Sequence, residues 1–207
     1  HNWAVSSADI KRMLDDTGRF DTTVATSPAK GQDMSAFKPS FAGYGAVVMD
    51  YEGDDWPEPT KVAFVEYVRG GGGLVLVHAA DNAFPTWPEF LEMSGVGGWD
   101  GRDEKWGPKV RWRDGELVLD AKTPGNATHP AKHDFLVVTR APAHPIMKGL
   151  PAEWLQANDE IYSQLRGPAK NLQVLATASA DQAKGGTGEH EPMFMTIQYG
   201  QGRVFHN

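Results

Sequence analysis

His78 ends an apolar run, Leu74–Val77, and Asp81 and Asn82 follow within one turn. An imidazole with a carboxylate and an amide beside it can move protons, orient a hydroxylated ligand or help hold a metal. A tight turn needs one polar residue at such a place, and this one has three. Glu160 opens the stretch Glu160–Leu165, next to Asp159, and His206 follows the run Gly202–Phe205. His78, Glu160 and His206 are the catalytic candidates. Trp3, Asp50, Asp81, Asn82, Tyr162 and Glu191 are the substrate-binding candidates. His1, His78 and His206 form a candidate metal set, suited to zinc or another divalent ion. Taken singly, each has a plain structural role open to it, such as a strand-end histidine bonded to a carbonyl.

Other chemistries fit less well. The chain has no cysteine, which removes thiolate nucleophiles, disulfides and cysteine-based zinc sites together. No G-x-S-x-G elbow is present, so Ser-His-Asp catalysis has no nucleophile in place. Glu160 and Glu191 are two carboxylates of the kind glycoside hydrolysis uses, but nothing in their spacing supports the required separation. His129 and His133 have the spacing that puts two histidines on one face of a helix. Pro130 and the surrounding Gly/Pro-rich loop argue against that helix. Gly70–Gly73 precedes a strand and reads as a helix terminator, with no helix after it to cradle phosphate. Trp3, Trp56, Trp87, Trp99 and Trp106 fall in loops, where aromatic faces can stack on sugars or simply anchor the loop. Trp154 reads as core.

These residues need a scaffold that collects them. The chain has 207 residues and 40% hydrophobic content, enough for one domain with a core. No apolar run approaches the ~20 residues of a membrane-spanning helix. A net charge of −7 disfavours a nucleic-acid partner. A small neutral or polar ligand fits better. The composition leaves cytosol, periplasm and exterior equally open.

Along the chain, Ser6–Asp9 reads as a capping-box start to a helix that Gly18 stops. Phe20–Thr26 alternates like a strand. Gly45–Tyr51 reads as a buried strand ending at Asp50, a helix follows from Pro57 to the glycine run, and Leu74–Ala79 is the next strand. Pro85–Gly95 predicts a short helix. Strand and helix in alternation predict an α/β fold with a mostly parallel sheet and helices on both faces. Lys109–Asp120 predicts a hairpin around Asp114-Gly115, within an insertion or flap spanning about 95–132. Residues 134–139, 160–165, 172–178 and 193–199 are further strand candidates. In an open sheet of this kind ligands bind beyond the strands' carboxyl ends, where Asp50, His78 and His206 would lie. The opening on a helix and the stop in a strand predict a strand before His1 and a helix after Asn207. A homo-oligomer or a fusion to other domains would suit such ends.

Six blocks in order, "HNW" followed by a capped helix, "GGGLVLVHAADNAF", "HPIMKGLP", "NDEIYSQL", "VLATA" and "GTGEHEPMFMTIQYGQGRVFHN", resemble the trehalose-utilisation, ThuA-like family over nearly the whole chain. The last block is the most specific. The resemblance implies a flavodoxin-like, class I glutamine amidotransferase-like fold. There the strand Gly71–Ala80 corresponds to the one whose elbow carries the amidotransferases' cysteine, with His78 near that corner. Glutamine hydrolysis through a thiolate is excluded by the missing sulfur. The resemblance also implies a carbohydrate substrate, a trehalose-type disaccharide or its 3-keto derivative. It would be processed by acid/base or metal-assisted chemistry, as an isomerase, lyase or hydrolase. A non-catalytic sugar-binding module, or an interaction module of a larger protein, is the alternative.

Overall fold

The computed structural model describes residues 2–97 and 101–207. The candidates His1 and Trp99 lie outside these residues. Ala46–Met49 forms β1 and Gly73–Leu76 forms β2. Helix α2, Glu58–Arg69, connects them, with prolines at its entry. Its Phe64, Val65 and Val68 are buried, at the i, i+1, i+4 spacing of one helix face. β1 and β2 pair in parallel, and β2 pairs in parallel with β9, Gly202–His206, in a register that sets Leu76 beside His206.

From β9 outward the sheet changes character. β8 (His190–Tyr199), β7 (Leu172–Ser179), β5 (His133–Thr139) and β6 (Glu153–Asp159) continue it, every pairing antiparallel. The β3–β4 hairpin (Lys109–Arg113, Glu116–Asp120) joins β8 where Trp112 faces His190. Its turn has Asp114 at φ 52° and Gly115 at φ 84°, the left-handed pair a two-residue hairpin requires. The expected mostly parallel sheet is therefore corrected to a mixed one. Gly200 and Gln201 alone separate β8 from β9, and a parallel connection needs about a dozen residues or more.

Helices on both faces are not found among the described residues either. Alternate strand residues build two cores. One contains Leu74, Leu76, Val204 and Ile197 and is covered by α2 and by α3, Pro88–Ser94, through Phe64, Val68, Phe90 and Met93. The other contains Leu175, Ala176, Val137 and Phe135 and is closed by Met147 and Ile161, which lie outside any α-helix. Helix α1, Trp3–Asp16, buries no residue. It begins at Trp3, so the capping box expected at Ser6 lies inside it. Instead, the Ser6 and Ser7 hydroxyls both donate to the Asp50 carboxylate, at 2.6 and 2.8 Å, and tie α1 to the end of β1.

Phe20–Thr26 joins no strand, and Phe20 and Val24 are exposed. Trp56 and Trp87 are buried in an aromatic cluster with Phe64 and Phe84, so they are core anchors. Trp154 is only half-buried, on β6 against Phe194. The expected strand at 160–165 is instead an irregular crossing segment, paired only through isolated bridges such as Thr128 with Ser163. No helix among the described residues is long and apolar enough to span a membrane.

Candidate active site at the ends of β2 and β9

Two adjacent parallel strands end together here, and that brings His78 and His206 to one place. The His78 N–H donates to the Asn207 carbonyl at 2.9 Å, continuing the ladder one step past β2. His78 then opens a 3₁₀ turn, His78–Asn82, with φ at 49°. A left-handed backbone is unfavourable for a residue with a Cβ, and such residues concentrate at working corners of proteins. It turns the imidazole out of the sheet.

The second half of the site comes from the segment after β6. Tyr162 places its hydroxyl 3.1 Å from His78 Nε2, with the two rings 4.7 Å apart. Glu160 Oε2 lies 3.6 Å from the same Nε2, and Lys132 Nζ is 3.6 Å from Glu160 Oε1. His78, Glu160, Tyr162 and His206 line one recess of about 40 Å³, together with Asn207 and the apolar Leu165, Pro192, Met193 and Met195. That volume holds water or one polar substituent. A sugar ring would have to lie across the mouth.

His206 is almost fully buried, and its Nδ1 hydrogen-bonds the Ser94 carbonyl at 2.8 Å. A carbonyl only accepts, so Nδ1 carries the proton. Its Nε2 faces Asp81 Oδ2 at 3.6 Å. Asp81 is wholly buried and neither carboxylate oxygen has a hydrogen-bond partner among the described residues.

Four of the sequence-selected residues thus meet. The others among the described residues do not line the recess. Asp81 and Asn82 point into the fold and are buried. Asp50 is engaged by α1, and Trp3 is exposed on the first turn of that helix. Glu191 is fully buried on β8. Burial pushes its carboxyl above the ordinary range, against the opposing pull of the Gln164 N–H, the Thr187 hydroxyl and Arg111. Among the described residues no group of three or more His, Asp or Glu could hold a metal, and the proposed metal set depends on His1.

Two residues of this neighbourhood were not selected from the sequence. His129 stands with its ring 6.2 Å from that of Tyr162, and Lys132 pairs with Glu160. Their signal was the "THPAKH" stretch, whose His129–His133 spacing points to a helix that Pro130 and the surrounding loop rule out. Only the bridge between Thr128 and Ser163 carries it to the site.

The arrangement is that of an α/β protein with a thiol-free, imidazole–carboxylate–phenol recess at the end of its parallel strands. A family model described as trehalose utilisation, ThuA, matches residues 1–207. The chain belongs to the ThuA family. A ThuA-like protein of Parabacteroides merdae is 46% identical with a TM-score of 0.96, covering 100% of this chain and 74% of that one. A ThuA-like protein of Bacteroides uniformis is 19% identical with a TM-score of 0.63, covering 99% and 73%; that likeness bears on the fold alone. No match was found among curated proteins.

Proposed function

We propose that this chain is a carbohydrate-processing enzyme acting on a disaccharide of the trehalose type, or its 3-keto derivative, by proton transfer. The observation that carries the reading is the meeting of His78, Tyr162 and Glu160 within 3.1 and 3.6 Å, from elements far apart in sequence. A site that only bound sugar would need aromatic faces and scattered donors. Acid and base groups converging on one point are what catalysis of proton transfer needs. The left-handed His78 at a strand end supports the likeness to an amidotransferase elbow, with imidazole where that family carries a thiol.

A 3-keto sugar has an acidic C–H at C2, between the carbonyl and the glycosidic carbon. Glu160 takes that proton, and the C–H electron pair passes into the enolate. Tyr162, placed on the His78 nitrogen, donates a hydrogen bond to the enolate oxygen. As the enolate collapses, the bond from C1 to the glycosidic oxygen breaks with its electron pair. His78 gives the proton on its Nε2 to the departing oxygen, and Glu160, 3.6 Å away, passes the proton it took on to His78. No covalent enzyme intermediate forms. General acid–base groups of this kind contribute about 10²–10⁴-fold. His78→Ala and Glu160→Gln are each expected to slow turnover of 3-keto-trehalose by that factor while unfolding at the wild-type temperature. Unaltered rates in both folded variants would sink the reading.

A further inference from the structure

The segment that mounts Glu160 and Tyr162 has no ladder of its own, so something must hold it. Gln164 lies two residues past Tyr162 with φ at 63°, a left-handed backbone that a side-chain-bearing residue adopts only under restraint. It is restrained from both sides. The wholly buried Glu191 accepts the Gln164 backbone N–H on Oε2 at 3.0 Å. The Lys109 ammonium, also buried, donates to the Gln164 side-chain oxygen and, at 2.6 Å, to the Pro124 carbonyl. Glu191 is itself fixed, by the Thr187 hydroxyl on Oε1 at 2.7 Å and by Arg111 Nη1 at 3.7 Å.

We infer that Glu191 is a positioning residue for the site: by clamping Gln164, together with Lys109, it holds the Tyr162 hydroxyl on His78. A buried carboxylate is costly unless hydrogen-bonded, and this one spends an oxygen on the backbone of the segment carrying the site's phenol. Between Tyr162 and Gln164 lies Ser163, whose backbone is paired both ways with Thr128 at 2.8 and 3.0 Å. A shift at Gln164 therefore turns the chain about that bridge and passes to Tyr162. The inference rests on the His78–Tyr162 contact belonging to the working site, but its test uses no turnover.

The test is the Nε2 resonance of His78 in nitrogen-labelled protein, assigned by its loss in His78→Gln. Tyr162→Phe should displace it by removing the hydroxyl. Glu191→Ala should displace it in the same direction. Glu191→Gln, whose side-chain oxygen can still accept the Gln164 N–H, should return it towards the wild-type position. Should Glu191→Ala not fold, Glu191→Asp, one methylene shorter, draws the carboxylate back from the Gln164 N–H and is read in the same way. A merely structural role would lower the unfolding temperature and leave the resonance in place. The inference is overturned if the resonance moves in Tyr162→Phe but stays put in folded Glu191→Ala or Glu191→Asp. It is equally overturned if Tyr162→Phe leaves the resonance unmoved, since the contact being transmitted would then be missing. Loss of the proposed sugar activity alone would leave this result standing.

Discussion

Replacing His206 by alanine would remove the imidazole that faces the Asp81 carboxylate at 3.6 Å. Asp81 is wholly buried, with no hydrogen bond to either oxygen among the described residues. Nδ1 of His206 already carries a proton towards Ser94, so a second proton, on Nε2, makes it the cation of this pair; breaking such a buried pair by deleting one partner costs about 3–5 kcal/mol, most of it the penalty of the charge left behind. At 3.6 Å the contact is longer than a hydrogen bond, so the low end applies. The Ser94 carbonyl also loses its donor. We expect about 3 kcal/mol, which for a chain of this size lowers the unfolding temperature by ~6–12 °C. Asp81→Asn removes the charge and keeps the shape. If the stranded carboxylate is the origin of the cost, His206→Ala should be much milder in the Asp81→Asn background. Urea unfolding of the wild type, both single variants and the double variant would then give a coupling of about 1.5–3 kcal/mol. Additivity within about 0.5 kcal/mol would refute the reasoning. The Asp81 charge would then be balanced elsewhere, and Arg102, whose Nη2 lies 3.5 Å from the Asp81 backbone carbonyl, is a cation beside it.

The other expectations concern the frame around the site. The Thr123 hydroxyl, followed by the backbone N–H groups of Thr123 and Lys122 and by Arg111, holds the Asp120 carboxyl well below the usual carboxylate range. A carboxyl depressed on folding contributes stability that is present above its unfolded value, about 3.9, and is lost as pH falls through the folded one. Thermal unfolding should therefore show Asp120→Asn less stable than wild type near neutrality, the gap closing as pH falls from about 5 towards 2; a gap constant with pH would count against this. At Gly202 an added Cβ would lie 2.0 Å from the Val68 carbonyl oxygen and 2.9 Å from that of Gly72. Both are backbone atoms and cannot swing aside, so Gly202→Ala should cost at least the upper end of the usual 1–3 kcal/mol for overpacking, about 3 kcal/mol. Urea unfolding checks it, and a loss under about 1 kcal/mol would show that α2 and β9 part easily.

Much of the site could be read in advance because strand ends announce themselves. "LVLVH" and "GRVFH" each change from apolar to imidazole at one residue, and two such strands side by side must deliver both rings to one edge. Tyr162 and Glu160 were legible as residue types but not as a wall of the recess. The segment carrying them was read as a strand, and its path depends on isolated bridges that leave no periodicity. β6 was not foreseen: Glu153–Asp159 mixes charged and amide residues with Trp154 and Leu155, as a half-exposed edge strand does. His129 and Lys132 were invisible for the same reason as any loop residue, since nothing local says what a loop lies against.

The amino-acid order by itself determined the buried strands β1, β2 and β9, whose apolar runs stand out, and the amphipathic helix α2. It also determined the turn at Asp114-Gly115 and the exclusion of sulfur chemistry. Those are properties of neighbouring residues and of composition. Strand direction beyond β9, the single helix-covered face, the pairing of Asp81 with His206 and the clamp of Glu191 on Gln164 were decided only in three dimensions. Each joins groups distant along the chain, through burial and hydrogen bonds that no local pattern encodes.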